Sequence, residues 1–142
     1  MPDNAKTADM LVDTSVAIAL LVVDHEHHSA TFDALEGLEL GLSGHAAFET
    51  FSVLTRLPLP ARRTAAAAQK LLDANFPHTR FLSQQAATGL LTEFARGNIA
   101  GGSVYDALVG AAAREHGIPL ATRDGRALEI YRSLGVDVES LA

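Results

Sequence analysis

Asp9-Met10-Leu11-Val12-Asp13-Thr14-Ser15, followed at once by the apolar run Val16 to Val23, decides the fold class of this chain. A short apolar segment that ends on an acid and passes straight into a longer apolar run reads as a buried strand, Asp9 to Asp13, feeding a helix, Val16 to Val23. Thr14 or Ser15 supplies the cap. The same alternation recurs downstream. A helix over His25 to Leu35 stops at Gly37, and a strand over Leu38 to Leu42 leads into a helix over His45 to Arg56, which Pro58 and Pro60 close. Further helices are expected over Ala61 to Ala74 and Gln84 to Arg96, with a strand at Arg80 to Leu82 between them. After the glycine-rich loop Gly97 to Gly102, Ser103 caps a helix over Val104 to His116, ended by Gly117. A strand over Ile118 to Thr122, a helix over Gly125 to Leu134 and a last strand at Val136 to Val138 complete the series. Short strands alternating with helices imply βαβ crossovers: an α/β fold with a mainly parallel sheet between two helical layers.

The chain has 142 residues, enough for one domain with its own core. Residues 1–8 are polar and are expected to form a flexible tail, with residues 9–142 as a single domain. No apolar run is long enough to span a bilayer, and the start lacks a signal-peptide core, so a cytoplasmic location is expected. The absence of cysteine excludes disulfides, thiolate zinc sites and a cysteine nucleophile. The net charge of -6 argues against a protein that coats nucleic acid by charge alone.

In open α/β sheets, ligands bind at the carboxyl ends of the strands. Asp13 closes the first strand and Asp124 follows the strand that ends at Thr122, so both fall at that edge. Glu49 lies in the helix from His45, on a polar stripe with His45, Ser52 and Arg56; Phe48, Phe51 and Leu54 are expected to form that helix's apolar side. Asp106 opens the helix after the glycine loop, and Gly110, one turn on, leaves room beside it. Carboxylates gathered at neutral pH repel one another unless a cation lies between them, and oxygen-only donors favour magnesium or manganese. Such an ion acidifies water and takes up phosphate oxygens, which suits hydrolysis of a phosphodiester. Taken singly, each acid also has an ordinary reading. Asp13 could be a helix cap, Asp106 the acidic partner of Ser103 in a capping box, Asp124 a turn residue, and Glu49 a solvated helix residue.

Leu11-Val12-Asp13-Thr14-Ser15-Val16 resembles the opening motif of PIN-domain nucleases. Glu49 early in a helix, Ser103-Val104-Tyr105-Asp106-Ala107-Leu108 and Leu120-Ala121-Thr122-Arg123-Asp124 resemble the family's later acidic motifs, in the same order. Length and layout are similar to the VapC toxins of VapBC toxin–antitoxin pairs. The resemblance implies a three-layer α/β/α PIN fold and a Mg2+-dependent endoribonuclease, with Mn2+ a possible substitute, that hydrolyses RNA with a metal-activated water. It also implies 5′-phosphate and 3′-hydroxyl products, a VapB-like antitoxin as partner, and a homodimer. Asp13, Glu49, Asp106 and Asp124 carry over as metal ligands or their direct supports, with Thr14, Ser15 and Thr122 in supporting roles. Arg56, Arg62, Arg63 and Arg80 are candidates for RNA contact.

Among rival readings, a receiver-like or phosphatase protein would need a lysine after a late strand, and the two lysines, Lys6 and Lys70, do not stand there. A catalytically silent PIN-like scaffold that binds RNA or protein would have no need of a repulsive acidic quartet. The cluster His25-Glu26-His27-His28 has poor spacing for a metal site and reads as an exposed polar segment at a helix start. Tyr105, next to Asp106, could stack on a base or pack at the rim.

Overall fold

The computed structural model describes residues 8–142. The expected tail falls on residues 1–7, outside the described residues, and on Ala8, which is buried against the core. The chain runs β1 (Met10–Val12), α1 (Thr14–Leu21), α2 (His28–Leu35), β2 (Leu40–Leu42), α3 (Ala46–Arg56), α4 (Ala65–Asn75), α5 (Gln84–Gly97), α6 (Ser103–His116), β3 (Leu120–Thr122), α7 (Gly125–Ser133) and β4 (Val138–Ser140). The strands form one sheet in the order β2-β1-β3-β4, with every neighbouring pair parallel.

Successive side chains in a strand point to opposite faces, and two apolar clusters divide along this rule. Leu11 and Leu120 face a cluster completed by Leu90 and Phe94 of α5, Ala107 and Ala111 of α6, and Ala127 and Tyr131 of α7. Met10, Val12, Leu42 and Ala121 face the other, with Val16 and Ala17 of α1, Leu35 of α2, Leu54 of α3 and Ala68 of α4. The sheet is therefore the middle of three layers, as the strand–helix alternation implies.

Several local expectations are corrected. The helix expected from His25 begins at His28, because turns over residues 25–27 bring the His27 N–H to His25 Nδ1. The strand expected at Arg80 to Leu82 is reduced to a single parallel bridge between Ser43 and Arg80. There the Thr79 hydroxyl accepts from Leu42 N–H in place of a backbone carbonyl, so no regular ladder forms. Gly41 is required at this edge, since a Cβ would fall 2.1 Å from the His78 carbonyl oxygen. The last strand starts two residues later than expected, because Gly135 turns the chain at a φ of +76° and Val136 packs into the core. Ser103 is inside α6 rather than its cap: Gly102 occupies that position and makes no side-chain capping bond, so the Ser103–Asp106 capping box does not form. On α3 the core is filled by Ala46, Thr50 and Leu54, while Phe48 is 64% exposed and Phe51 only partly buried. The small residues let α3 lie close to its neighbours and turn the phenylalanine outward.

Candidate active site

The register of the two central strands sets the site. Leu11 pairs with Leu120 and Val12 with Ala121, so the next residues, Asp13 and Thr122, lie side by side at the carboxyl edge. The Asp13 N–H extends the ladder to the Ala121 carbonyl at 3.2 Å. Asp13 is also the N-cap of α1, in place of the expected Thr14 or Ser15. Its side chain is 4% exposed and accepts four hydrogen bonds. Oδ1 takes the Ser15 hydroxyl at 2.5 Å and the Val16 N–H at 3.2 Å. Oδ2 takes the Thr122 hydroxyl at 2.5 Å and the Tyr131 hydroxyl at 2.9 Å. An ionised carboxyl offers about four acceptor directions, so Asp13 is held nearly to capacity. Burial nevertheless raises its pKa above the ordinary carboxylate value, against the lowering effect of those donors.

The supporting hydroxyls tie neighbouring parts together. Ser15 Oγ donates to Asp13 and accepts the Arg123 N–H at 2.9 Å. Thr122 Oγ1 donates to Asp13 and accepts the Asp124 N–H at 3.0 Å. Thr14 Oγ1 points to Glu49 Oε1 at 3.4 Å, a long contact. Asp124 caps α7 through the Arg126 N–H at 3.0 Å, and the Arg126 guanidinium lies 3.6 Å away on the surface. The capping reading of Asp13 is thus realised, Asp124 caps a helix where a turn residue is expected, and both side chains reach the shared pocket.

Asp13, Glu49, Asp106 and Asp124 line one pocket of about 110 Å³, walled also by Thr14, Ser15, Val109 and Tyr131. Glu49 has a raised pKa, first through burial and then through the nearby charges of Asp106 and Asp13, with His45 opposing. Asp106 is likewise raised by burial and by Asp124 and Asp13, with Arg126 opposing. The acids therefore sense one another electrostatically. Among the described residues, no three acidic or histidine side chains converge into a ready-made metal cage. The donor set itself fits a hard divalent ion: the polar side chains lining the pocket offer only carboxylate and hydroxyl oxygens, and Glu49 and Asp106 each have their pKa raised by burial and by neighbouring acids.

Tyr131 lines the candidate site, and sequence reasoning missed it. It is 1% exposed, and burial and the neighbouring acids push its phenol far above the usual range, so it acts only as a donor. The space expected beside Gly110 is what admits it: a Cβ at residue 110 would lie 2.9 Å from Tyr131 Cδ1. The signal in the sequence is the (i, i+4) pair Ala127 and Tyr131 on the buried face of α7, facing a glycine in α6.

None of the four arginine candidates lines the carboxylate pocket. Arg56 bonds Ser52 on its own helix, Arg62 the Leu57 carbonyl, Arg63 the Ala61 carbonyl, and Arg80 the carbonyls of His78 and Thr79. In the histidine cluster, His28 Nδ1 lies 2.9 Å from the Ala19 carbonyl while His27 is exposed, consistent with a polar segment at a helix start.

The family model described as the PIN domain matches residues 10–133. The chain is 46% identical over 129 residues to Ribonuclease VapC27 of Mycobacterium tuberculosis, covering 91% of this chain and 94% of that protein. It is 43% identical over 129 residues to Ribonuclease VapC40 of the same organism, covering 89% and 95%. Among solved structures, DNA-bound VapBC from Salmonella typhimurium matches with a TM-score of 0.65 at 19% identity, over 96% of this chain and all of that one, a likeness of fold. The chain belongs to the PIN-domain family, and within it to the VapC group.

Proposed function

We propose that this protein is a Mg2+-dependent endoribonuclease, with Mn2+ as a substitute, and the toxin of a VapBC-type pair. The observation that carries the reading is one pocket lined by Asp13, Glu49, Asp106 and Asp124 at the carboxyl edge of a parallel sheet. Two relatives named ribonuclease, alike over about nine-tenths of the chain, support RNA as the substrate. Glu49, Asp106 and Asp124 would hold the ion, with Asp13 as a further ligand or a direct support. When bound, the ion supplies the positive charge that draws a phosphodiester into the acidic pocket and makes water acidic enough to serve as nucleophile. Ser15, Thr122 and Tyr131 hold Asp13 in one orientation and oppose the rise in its pKa that burial causes. Thr14 steadies Glu49, and Thr122 fixes the backbone at Asp124.

A VapB-like antitoxin, a homodimer, a cytoplasmic location and residues 9–142 acting as one PIN unit belong to the same proposal. The groove between α1 and α2, lined by Leu20, Phe32, Leu35 and Leu40, supports a protein partner. The exposed apolar side chains Phe48, Phe81 and Leu91 support a self-association surface. Among the described residues, no helix is long and apolar enough to cross a membrane.

The test is incubation of antitoxin-free protein with total RNA of its host, with magnesium or with EDTA, followed by mapping of new 5′ ends. Discrete magnesium-dependent ends, absent with Asp106→Asn, are expected. Equal cleavage in EDTA, or by the variant, would overturn the reading.

A further inference from the structure

Beside the carboxylate pocket stands a second feature that the chemistry above does not use. Tyr105 immediately precedes Asp106 on α6, and His45 lies one turn before Glu49 at the start of α3. Their rings are stacked, with centroids 5.4 Å apart and planes inclined by 27°. Tyr105 is 53% exposed, a costly way to leave a large ring that could have packed inside. We propose that Tyr105, backed by His45, is a stacking platform for a base of the RNA strand, next to the phosphate held over the acids. This inference rests on RNA as the substrate.

Three observations favour a nucleobase over other occupants. Tyr105 adjoins Asp106 on α6 and stacks on His45, one turn before Glu49 on α3, so a base on the pair sits between the two helix starts that carry these acids. The pair is a tyrosine on an imidazole, flat and polar-edged, whereas the rings that continue from His45, Phe48 and then Phe81, are wholly apolar and do not line the pocket. The chain also carries a net charge of -6, and its candidate arginines are engaged by their own backbone or helix. Such a protein gains little from phosphate neutralisation, while stacking on aromatic rings binds single strands without positive charge and with little regard to sequence.

The sequence holds two tyrosines and no tryptophan, and the other tyrosine, Tyr131, is buried. Tyrosine emission of the whole protein therefore reports Tyr105 on adding RNA. In EDTA at low salt, a short oligoadenylate should quench this emission, and an abasic ribose-phosphate chain of equal length should not. Tyr105→Leu should weaken binding by about fivefold or more, and Tyr105→Phe should retain it within about twofold, since stacking needs the ring and not the hydroxyl. Wild-type affinity in Tyr105→Leu, or equal quenching by the abasic chain, overturns the proposal. So does emission that changes with protein concentration alone together with a change of oligomeric state in Tyr105→Leu, because a second copy would then cover the ring. Binding is read without cleavage, so the two readings fail separately. Cleavage without Tyr105-dependent binding removes the platform and leaves the nuclease, whereas base-dependent quenching without cleavage leaves the platform and removes the nuclease.

Discussion

Tyr131→Phe removes one atom from the site and leaves the packing intact. The phenol donates to Asp13 Oδ2 at 2.9 Å, and the ring is 1% exposed, so Phe fills the same space and only the hydrogen bond is lost. A bond to a charged acceptor is worth about 1.5–3 kcal/mol, and one to a neutral acceptor about 1 kcal/mol. For a domain of this size, 1 kcal/mol moves Tm by roughly 2–4 °C. In EDTA, above the folded Asp13 pKa, the variant should therefore melt about 3–12 °C below wild type. The pH dependence carries the sharper signature. Burial already raises the folded-state pKa of Asp13, and the Tyr131 donor works against that rise. A carboxylate with a raised folded pKa contributes stability that is present below its unfolded pKa and is lost as pH climbs through the folded one. Removing the donor raises the folded pKa further, so the deficit should widen as pH climbs through the folded Asp13 pKa and shrink by about half below it. Divalent-ion affinity should also fall, by about 10–100-fold, as when partners that orient metal ligands are lost elsewhere. Melting curves across pH, followed by calorimetric titration with Mg2+, give both numbers. A Tm difference that is absent, or constant across pH, would refute the reasoning.

Gly110→Ala should destabilise by about 1 kcal/mol net and weaken Mg2+ binding. The new Cβ would press on Tyr131 Cδ1 at 2.9 Å and Val136 Cγ2 at 3.3 Å, an overpacking cost that exceeds the gain in helix propensity; thermal melts and ion titration check it. Thr50→Val should raise Tm by roughly 2–4 °C, because Thr50 Oγ1 is buried with no hydrogen-bond partner and the substitution removes that polar atom while keeping the shape. In EDTA, the raised pKa values of Asp13, Glu49 and Asp106 should make the protein lose stability as pH rises from the ordinary carboxylate range toward neutrality. Glu93, held low by Arg114, acts in the opposite sense. The measurement is thus the difference between wild type and Asp106→Asn, whose slope should be shallower and whose metal-free Tm at neutral pH should be higher.

What the sequence made legible follows from which interactions are local. The β1–Asp13–α1 unit is a contiguous pattern, and a parallel sheet has only one edge where ligands bind, so the order of residues alone brings Asp13, Thr122 and Asp124 to that edge together. Cap identities were less legible: Asp13 takes the capping position because its carboxylate turns back to the Val16 N–H, which frees the Thr14 and Ser15 hydroxyls to serve Glu49 and Asp13. Gly110 was legible as an opening, but its occupant, Tyr131, arrives from another helix through tertiary packing. Phe48 was misplaced for a similar reason. Helical spacing alone cannot choose between a face of large residues and one of small residues, and close approach selected Ala46, Thr50 and Leu54. The local hydrogen bonds of the arginines were not legible, because a sequence does not display the carbonyl oxygens they meet.

The central claim is that Asp13, Glu49, Asp106 and Asp124 act together on one divalent-ion centre. It is tested most directly by calorimetric titration of Mg2+ into the wild type and into Asp13→Asn, Glu49→Gln, Asp106→Asn and Asp124→Asn, with melting curves to show that each is folded. The account predicts saturable binding by the wild type, and weakening of the same binding event by about tenfold or more in every variant. Folded variants that bind Mg2+ as tightly as the wild type would contradict it, as would a folded wild type that binds none.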